Sequence, residues 1–201
     1  AVQLVLGYAI GAYIGKTGKI KLVMIATSVV YAISNFMLGF ASTPSDMLLL
    51  IVGILLSGLG TTTYSMVYTL HAQNELPKQL VGEATSAIQF LQSLSGTIGL
   101  SVVGMVLNTS FSSGLAHVIP EGLEALLPVE QLQSYMGTTL LTDTSVAAAA
   151  MEGLSSEGQT LFAQFINNIH AAYAGAMRNA FIVLGMLCAV TLVFSLMVHQ
   201  S

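Results

Sequence analysis

Four long apolar runs, each free of interior proline, constrain this chain more than anything else in it. They fall at about Leu22–Ser42, Met47–Leu70, Ala84–Leu107 and Ala176–Val198. Each reaches the ~20 residues that carry a helix across the hydrocarbon core of a bilayer. A backbone in lipid has to satisfy its own hydrogen bonds, so the runs are read as helices. A transmembrane barrel would instead show ~10-residue alternating segments, and these runs do not alternate. The expected fold class is an all-α membrane protein, a polytopic helical bundle.

Composition supports that reading. The chain has 201 residues, 54% hydrophobic and 7% charged, and a mean hydropathy of +0.80. A soluble domain carries about 25% charged residues to face water. Five Lys and Arg make no phosphate-binding patch, so no nucleic-acid partner is expected. Cys188 stands alone in an apolar run and leaves no disulfide framework. A fifth apolar segment, Ala1–Ile14, is short of a span. It has neither the charged start nor the cleavage site of a signal peptide. It is read as a partial first span, with the chain beginning partway through a helix.

The expected organisation is membrane helices over 1–107, an extracytoplasmic loop with short helices over 108–175, and a last membrane helix with a cytoplasmic C-terminus over 176–201. Lys16, Lys19, Lys21 and Lys78 share one side when the spans are threaded alternately, and the positive-inside rule makes that side cytoplasmic. The outer segment carries Glu121, Glu124, Glu130, Asp143, Glu152 and Glu157, without Lys or Arg. Arg178, at the outer end of the last span, is the exception and can snorkel to the interface. Ser156-Glu157-Gly158-Gln159 fits a capping box. Leu161, Phe162, Phe165, Ile169 and Tyr173 follow at helical spacing. They predict a helix from about Gly158 into the last span, with Gly175 a place for a bend. A short helix is expected over Val129–Leu140, and mobility over Thr138–Ala150.

Two motifs carry a family resemblance. The joint Gly11-Ala12-Tyr13-Ile14-Gly15-Lys16-Thr17-Gly18-Lys19 combines a helix end, a glycine turn and basic residues. It resembles the loop after the second helix of each half of the major facilitator superfamily, with Gly15 where that loop carries an acid. The second motif runs from Glu75-Leu76-Pro77-Lys78 through Gly82, Ala84, Thr85, Ser86 and Phe90 to Gly96, Gly99 and Gly104. It looks like the corresponding loop and span of the drug:proton antiporter branch with fourteen helices (EmrB/QacA type). Gln92 replaces an arginine common there, and Ser95 replaces a glycine. The resemblance covers nearly the whole chain. It implies part of the C-terminal half of a major facilitator fold, with helices ten (partial) to fourteen.

On that resemblance the function is proton-coupled export of lipophilic drugs or toxic compounds across a plasma or bacterial inner membrane. The partners are the bilayer, the N-terminal half of the same transporter and a small lipophilic substrate. No cofactor is expected, the proton gradient being the energy source. Polar residues within spans avoid lipid and face the bundle or a wet cavity. Gln89 and Gln92, with Thr61, Tyr64 and Tyr68, are therefore candidates for a substrate pathway, against interhelical hydrogen bonds and an aromatic interface belt as ordinary alternatives. Gly7, Gly96, Gly99 and Gly104 are candidates for close helix packing, either as a moving seam or as static contact.

No Asp or Glu lies in the middle of a span, so coupling acids are expected in the N-terminal half. Glu83 opens its span and suits a helix N-terminus. The sequence offers no metal-ligand cluster, P-loop or hydrolase triad, and so no case for an enzyme. Two rivals stay open. One is a transporter of the same fold for another substrate (metabolite, lipid, siderophore or nutrient). The other is a non-transporting membrane subunit whose outer segment docks a partner.

Overall fold

A computed structural model describes residues 2–41, 46–116, 118–136 and 144–197. The Pro44 turn, His117 and the C-terminal His199–Ser201 lie outside the described residues. So does the first part of the Thr138–Ala150 stretch.

Every element among the described residues is helical. Helix α1 spans Val2–Thr17, α2 Ile20–Phe40 and α3 Met47–Asn74. A 3-10 turn over Lys78–Leu80 follows Pro77 and leads into α4, Val81–Leu115. A second such turn, Leu123–Ala125, precedes α5 (Val129–Tyr135), α6 (Thr144–Met151) and α7 (Ser156–Met197). Four stretches, Ile20–Phe40, Met47–Asn74, Lys78–Leu115 and Ser156–Met197, are long and apolar enough to cross a membrane. They overlap the four full-length spans read from the sequence, of which the ends at Ser42 and Val198 lie outside the described residues. Helix α1, with 16 residues, is shorter than the ~20 a crossing takes.

The chain divides into two compact units, one of Ala1–Gly104 with Ala180–Ser201, the other of Met105–Asn179. In the first, α3 packs against both α2 and α1. Ile14 of α1, Val23 and Met24 of α2 and Val67 of α3 form a buried cluster, with Ile10, Ile20, Tyr68 and Leu70 around it. Glycines allow the close approaches. A methyl group on Gly60 would stand 2.7 Å from Tyr31 Cβ, one on Gly53 2.9 Å from Leu38 Cδ2, and one on Gly185 3.0 Å from Phe36 Cζ. Between helices in lipid, close packing replaces a hydrophobic drive, so small residues gather at the contacts.

Those contacts are not the ones expected from glycine spacing. A Cβ on Gly7, Gly96, Gly99 or Gly104 would meet nothing within 4 Å. The last three belong to α4, none of whose residues is buried.

The second unit has a core of a kind familiar from water-soluble domains. Val118, Leu123, Leu132, Phe162, Phe165 and Ile169 are buried together. Phe162 meets Tyr135 edge-on at 5.8 Å and Phe165 at 5.8 Å. Asn168 Nδ2 donates to the Val118 carbonyl at 2.9 Å. The helical spacing of Phe162, Phe165 and Ile169 is thus a core stripe, and α7 continues as one helix with Gly175 inside it.

Two expectations are corrected here. The cap is Ser155 rather than Ser156: its hydroxyl accepts from the Gly158 N–H at 3.3 Å. That places Gln159 one position too far along to bond a backbone N–H at the cap. Its amide donates instead to the Met151 and Leu154 carbonyls, both at 3.3 Å. The second correction concerns the Ser/Thr/Ala stretch. Thr144–Met151 is a helix, with Ala147 and Ala150 against the core. Alanine, the best helix former, outweighs the polar residues around it.

Candidate functional site

The candidate site is a groove of about 580 Å³ between α3 and α4. On α3, Thr61, Ser65, Thr69 and Gln73 recur every fourth residue and so share one face. Met66 and Leu70 complete that wall, and Gln89 and Gln92 of α4 form the other. Two hydrogen bonds cross it. Ser65 Oγ donates to Gln92 Oε1 at 3.5 Å, and Gln73 Nε2 to Thr85 Oγ1 at 2.9 Å. The threonine hydroxyl protons go elsewhere: Thr61 to the Ser57 carbonyl, Thr69 to Ser65 and Thr85 to Val81. Their oxygens keep accepting capacity toward the groove. No lining residue is acidic or basic. The groove therefore offers amide donors and acceptors, hydroxyl oxygens and a thioether, suited to a weakly polar solute.

The structure divides the five residues chosen from the sequence. Thr61, Gln89 and Gln92 come together in the groove. Tyr64 and Tyr68 belong to a different seam, where α3 meets α2 and the C-terminal part of α7. Their rings lie 4.3 Å apart, and Tyr31 of α2 lies 6.4 Å from Tyr64. The Tyr68 hydroxyl bonds Ser195. Ser28 completes a hydroxyl triangle, 3.3 Å from Tyr68 and 3.2 Å from Ser195. Higher on the same helices, Asn35 Nδ2 donates to the Tyr31 carbonyl at 2.8 Å and approaches Cys188 Sγ at 3.8 Å.

Ser28, Asn35, Cys188 and Ser195 were missed by the sequence reading. A signal existed. Ser28 and Asn35 are one heptad apart on α2, as are Cys188 and Ser195 on α7, so each pair shares a face. Small hydroxyls inside apolar runs look unremarkable until their partners on another helix are known.

The basic joint is built from α1 and α2. Gly18 closes α1 at φ 67°, its N–H donating to the Ile14 carbonyl at 2.8 Å. That left-handed cap admits glycine at little cost. Thr17 Oγ1 donates to the Tyr13 carbonyl at 2.8 Å and accepts from the Lys19 N–H at 3.4 Å. The tight turn leaves Lys16 and Lys19 exposed. Gly11 lies against Met66, while Gly15 faces open space. Among the described residues no cluster of His, Cys, Asp and Glu is placed to hold a metal ion.

These elements define a class: an all-helical chain, among its described residues, with four helices able by length and composition to cross a membrane. Comparison with family models, with curated proteins and with solved structures finds no match to this chain.

Proposed function

We propose that the chain is a C-terminal portion of a fourteen-helix major facilitator exporter, driving lipophilic compounds outward in exchange for protons. The observation that carries this reading is the groove in which Gln89 and Gln92 face the hydroxyls of Thr61, Ser65 and Thr69. Amides within an apolar helix are costly against lipid, so a wet cavity is their natural surrounding. The resemblance of the loop motifs at Gly11–Lys19 and Glu75–Ser86 supports the family, and the direction of transport and the coupling ion are inferred from that resemblance. Substrate in such transporters binds near the midplane between two halves that rock about it. The α3–α4 groove is then one wall of that path, and the opposing wall and the coupling acids belong to the other half. On this reading the basic joint faces the cytoplasm and the loop 108–175 lies outside.

The test uses the protein as its native source makes it, expressed in cells without their main efflux pumps. Accumulation of a fluorescent lipophilic cation is followed with and without a protonophore. The protein lowers accumulation, and the protonophore abolishes the effect. Gln92→Leu weakens export by about three- to twentyfold, the equivalent of one polar contact of roughly 0.6–1.7 kcal/mol in a membrane. Accumulation that ignores the protein sinks the exporter reading and favours a non-transporting membrane subunit.

A further inference from the structure

A second pocket lies on the other side of the same bundle. It has a volume of about 390 Å³ and is walled by α1, α2 and α3. Ile10 and Tyr13 come from α1, Leu22, Ala26 and Val30 from α2, and Leu59 from α3. Its only polar side chains are the Tyr13 phenol and the hydroxyls of Thr27 and Thr63. Both threonines spend their protons on their own helix, Thr27 on Val23 and Thr63 on Leu59, each at 2.8 Å. The pocket is thus an apolar trough with nothing to orient a polar solute.

Its depth and its mouth identify an occupant. From Leu22 to Val30 the α2 wall runs ~12 Å, most of the roughly 15 Å hydrocarbon depth of one leaflet. At the Leu22 end stands the joint that carries Lys16, Lys19 and Lys21, with neither α1 nor α2 contributing an acid. The turn after α3, at the same end, adds both Glu75 and Lys78. The Leu22 end of the trough, taken as its mouth, is therefore flanked by net basic charge while the lining is apolar, which complements the charge and chain of one kind of molecule.

We propose that the pocket between α1, α2 and α3 is a binding site for a single anionic phospholipid. One acyl chain lies along Ala26, Val30 and Leu59, and the phosphate stands at the lysines of the α1–α2 joint. This inference does not depend on the exporter reading. It concerns how the bundle is held in its leaflet, whatever the bundle transports.

The chain has no tryptophan, so Tyr13→Trp puts a lone reporter at the mouth. The full chain carrying it is returned to phosphatidylcholine vesicles that contain either phosphatidylglycerol or phosphatidylcholine brominated on the acyl chains. Quenching is stronger with brominated phosphatidylglycerol. Replacing Lys16, Lys19 and Lys21 together by Gln removes the difference, each engaged lysine being worth about fivefold in lipid affinity. Ala26→Leu, which fills the trough and leaves the lysines, lowers phosphatidylglycerol quenching to the phosphatidylcholine level. Circular dichroism of each variant reports retained helix. Equal quenching by the two lipids overturns the site. So does a preference that survives Ala26→Leu, because diffuse attraction to a basic loop would be indifferent to the trough.

Discussion

Gly60 and Gly96 occupy apolar helices of the same kind and differ only in what a methyl group would meet. At Gly60 an added Cβ would stand 2.8 Å from the Tyr31 ring and 3.0 Å from Tyr31 Cα. A backbone atom cannot swing away, so α2 and α3 must separate. Gly60→Ala is expected to destabilise the bundle by about 1–3 kcal/mol, the cost of overpacking. Gly96→Ala meets open space and is expected to be neutral or to stabilise by up to ~1 kcal/mol through helix propensity. Unfolding in mixed micelles, followed by circular dichroism, separates the two. A Gly60→Ala protein as stable as the parent would mean that α2 and α3 do not touch there. The pair also marks a limit of reading sequence. The spacing of Gly7, Gly96, Gly99 and Gly104 shows small residues on helix faces, and nothing in spacing says whether a neighbour covers the face. Gly53 and Gly60 are one heptad apart on α3 and meet α2, yet from the sequence they carry the same signal. The polar groove follows the same logic. Gln89 and Gln92 stand out because amides are rare in apolar runs, whereas Ser28 and Ser195 gain meaning only when Tyr68 joins them.

At the scale of elements, legibility depends on whether local chemistry or a partner decides. The four long helices were readable because apolar length alone dictates them. The first half of α7 was readable from the period of Phe162, Phe165 and Ile169. Its cap was displaced by one residue because Ser155 and Ser156 are equally good candidates and only the position of Gly158 chooses between them. In α6 the alanine run favours helix while the Ser and Thr residues before it favour a mobile segment, and the helix prevails over Thr144–Met151. The stripe on α7 is where the second unit is most exposed to damage. Phe165 is fully buried between Phe162 and the other core residues. Phe165→Ala is expected to cost about 3–5 kcal/mol, as for other buried aromatics cut to alanine. Hydrogen exchange on the full chain reads it: amides of Leu123–Leu132 lose protection while those of α2 and α3 keep theirs. Uniform loss across both units would contradict a separate core in Met105–Asn179.

At the scale of the whole molecule, side-chain exposure and charge placement together constrain the setting. Phe90, Leu94, Ile98 and Leu100 of α4 and Val193, Phe194 and Leu196 of α7 are all exposed, an apolar surface that water would not tolerate over such lengths. If α2, α3 and α4 each cross a bilayer, Lys19 and Glu124 are separated by an odd number of crossings and must stand on opposite sides. The orientation proposed from the positive-inside rule has Lys19 on the cytoplasmic side. Both residues are exposed, so single cysteines there can report, with the buried Cys188 replaced by Ala. In right-side-out vesicles a membrane-impermeant maleimide is expected to label Glu124→Cys at once and Lys19→Cys only after permeabilisation. The reverse pattern would keep the spans and invert the protein, removing the outward position proposed for the loop 108–175. Labelling of both positions in intact vesicles would mean an even number of crossings between them. One of the three helices would then lie along the membrane or outside it, and if that helix were α3 or α4 the groove between them could not line a path through the bilayer.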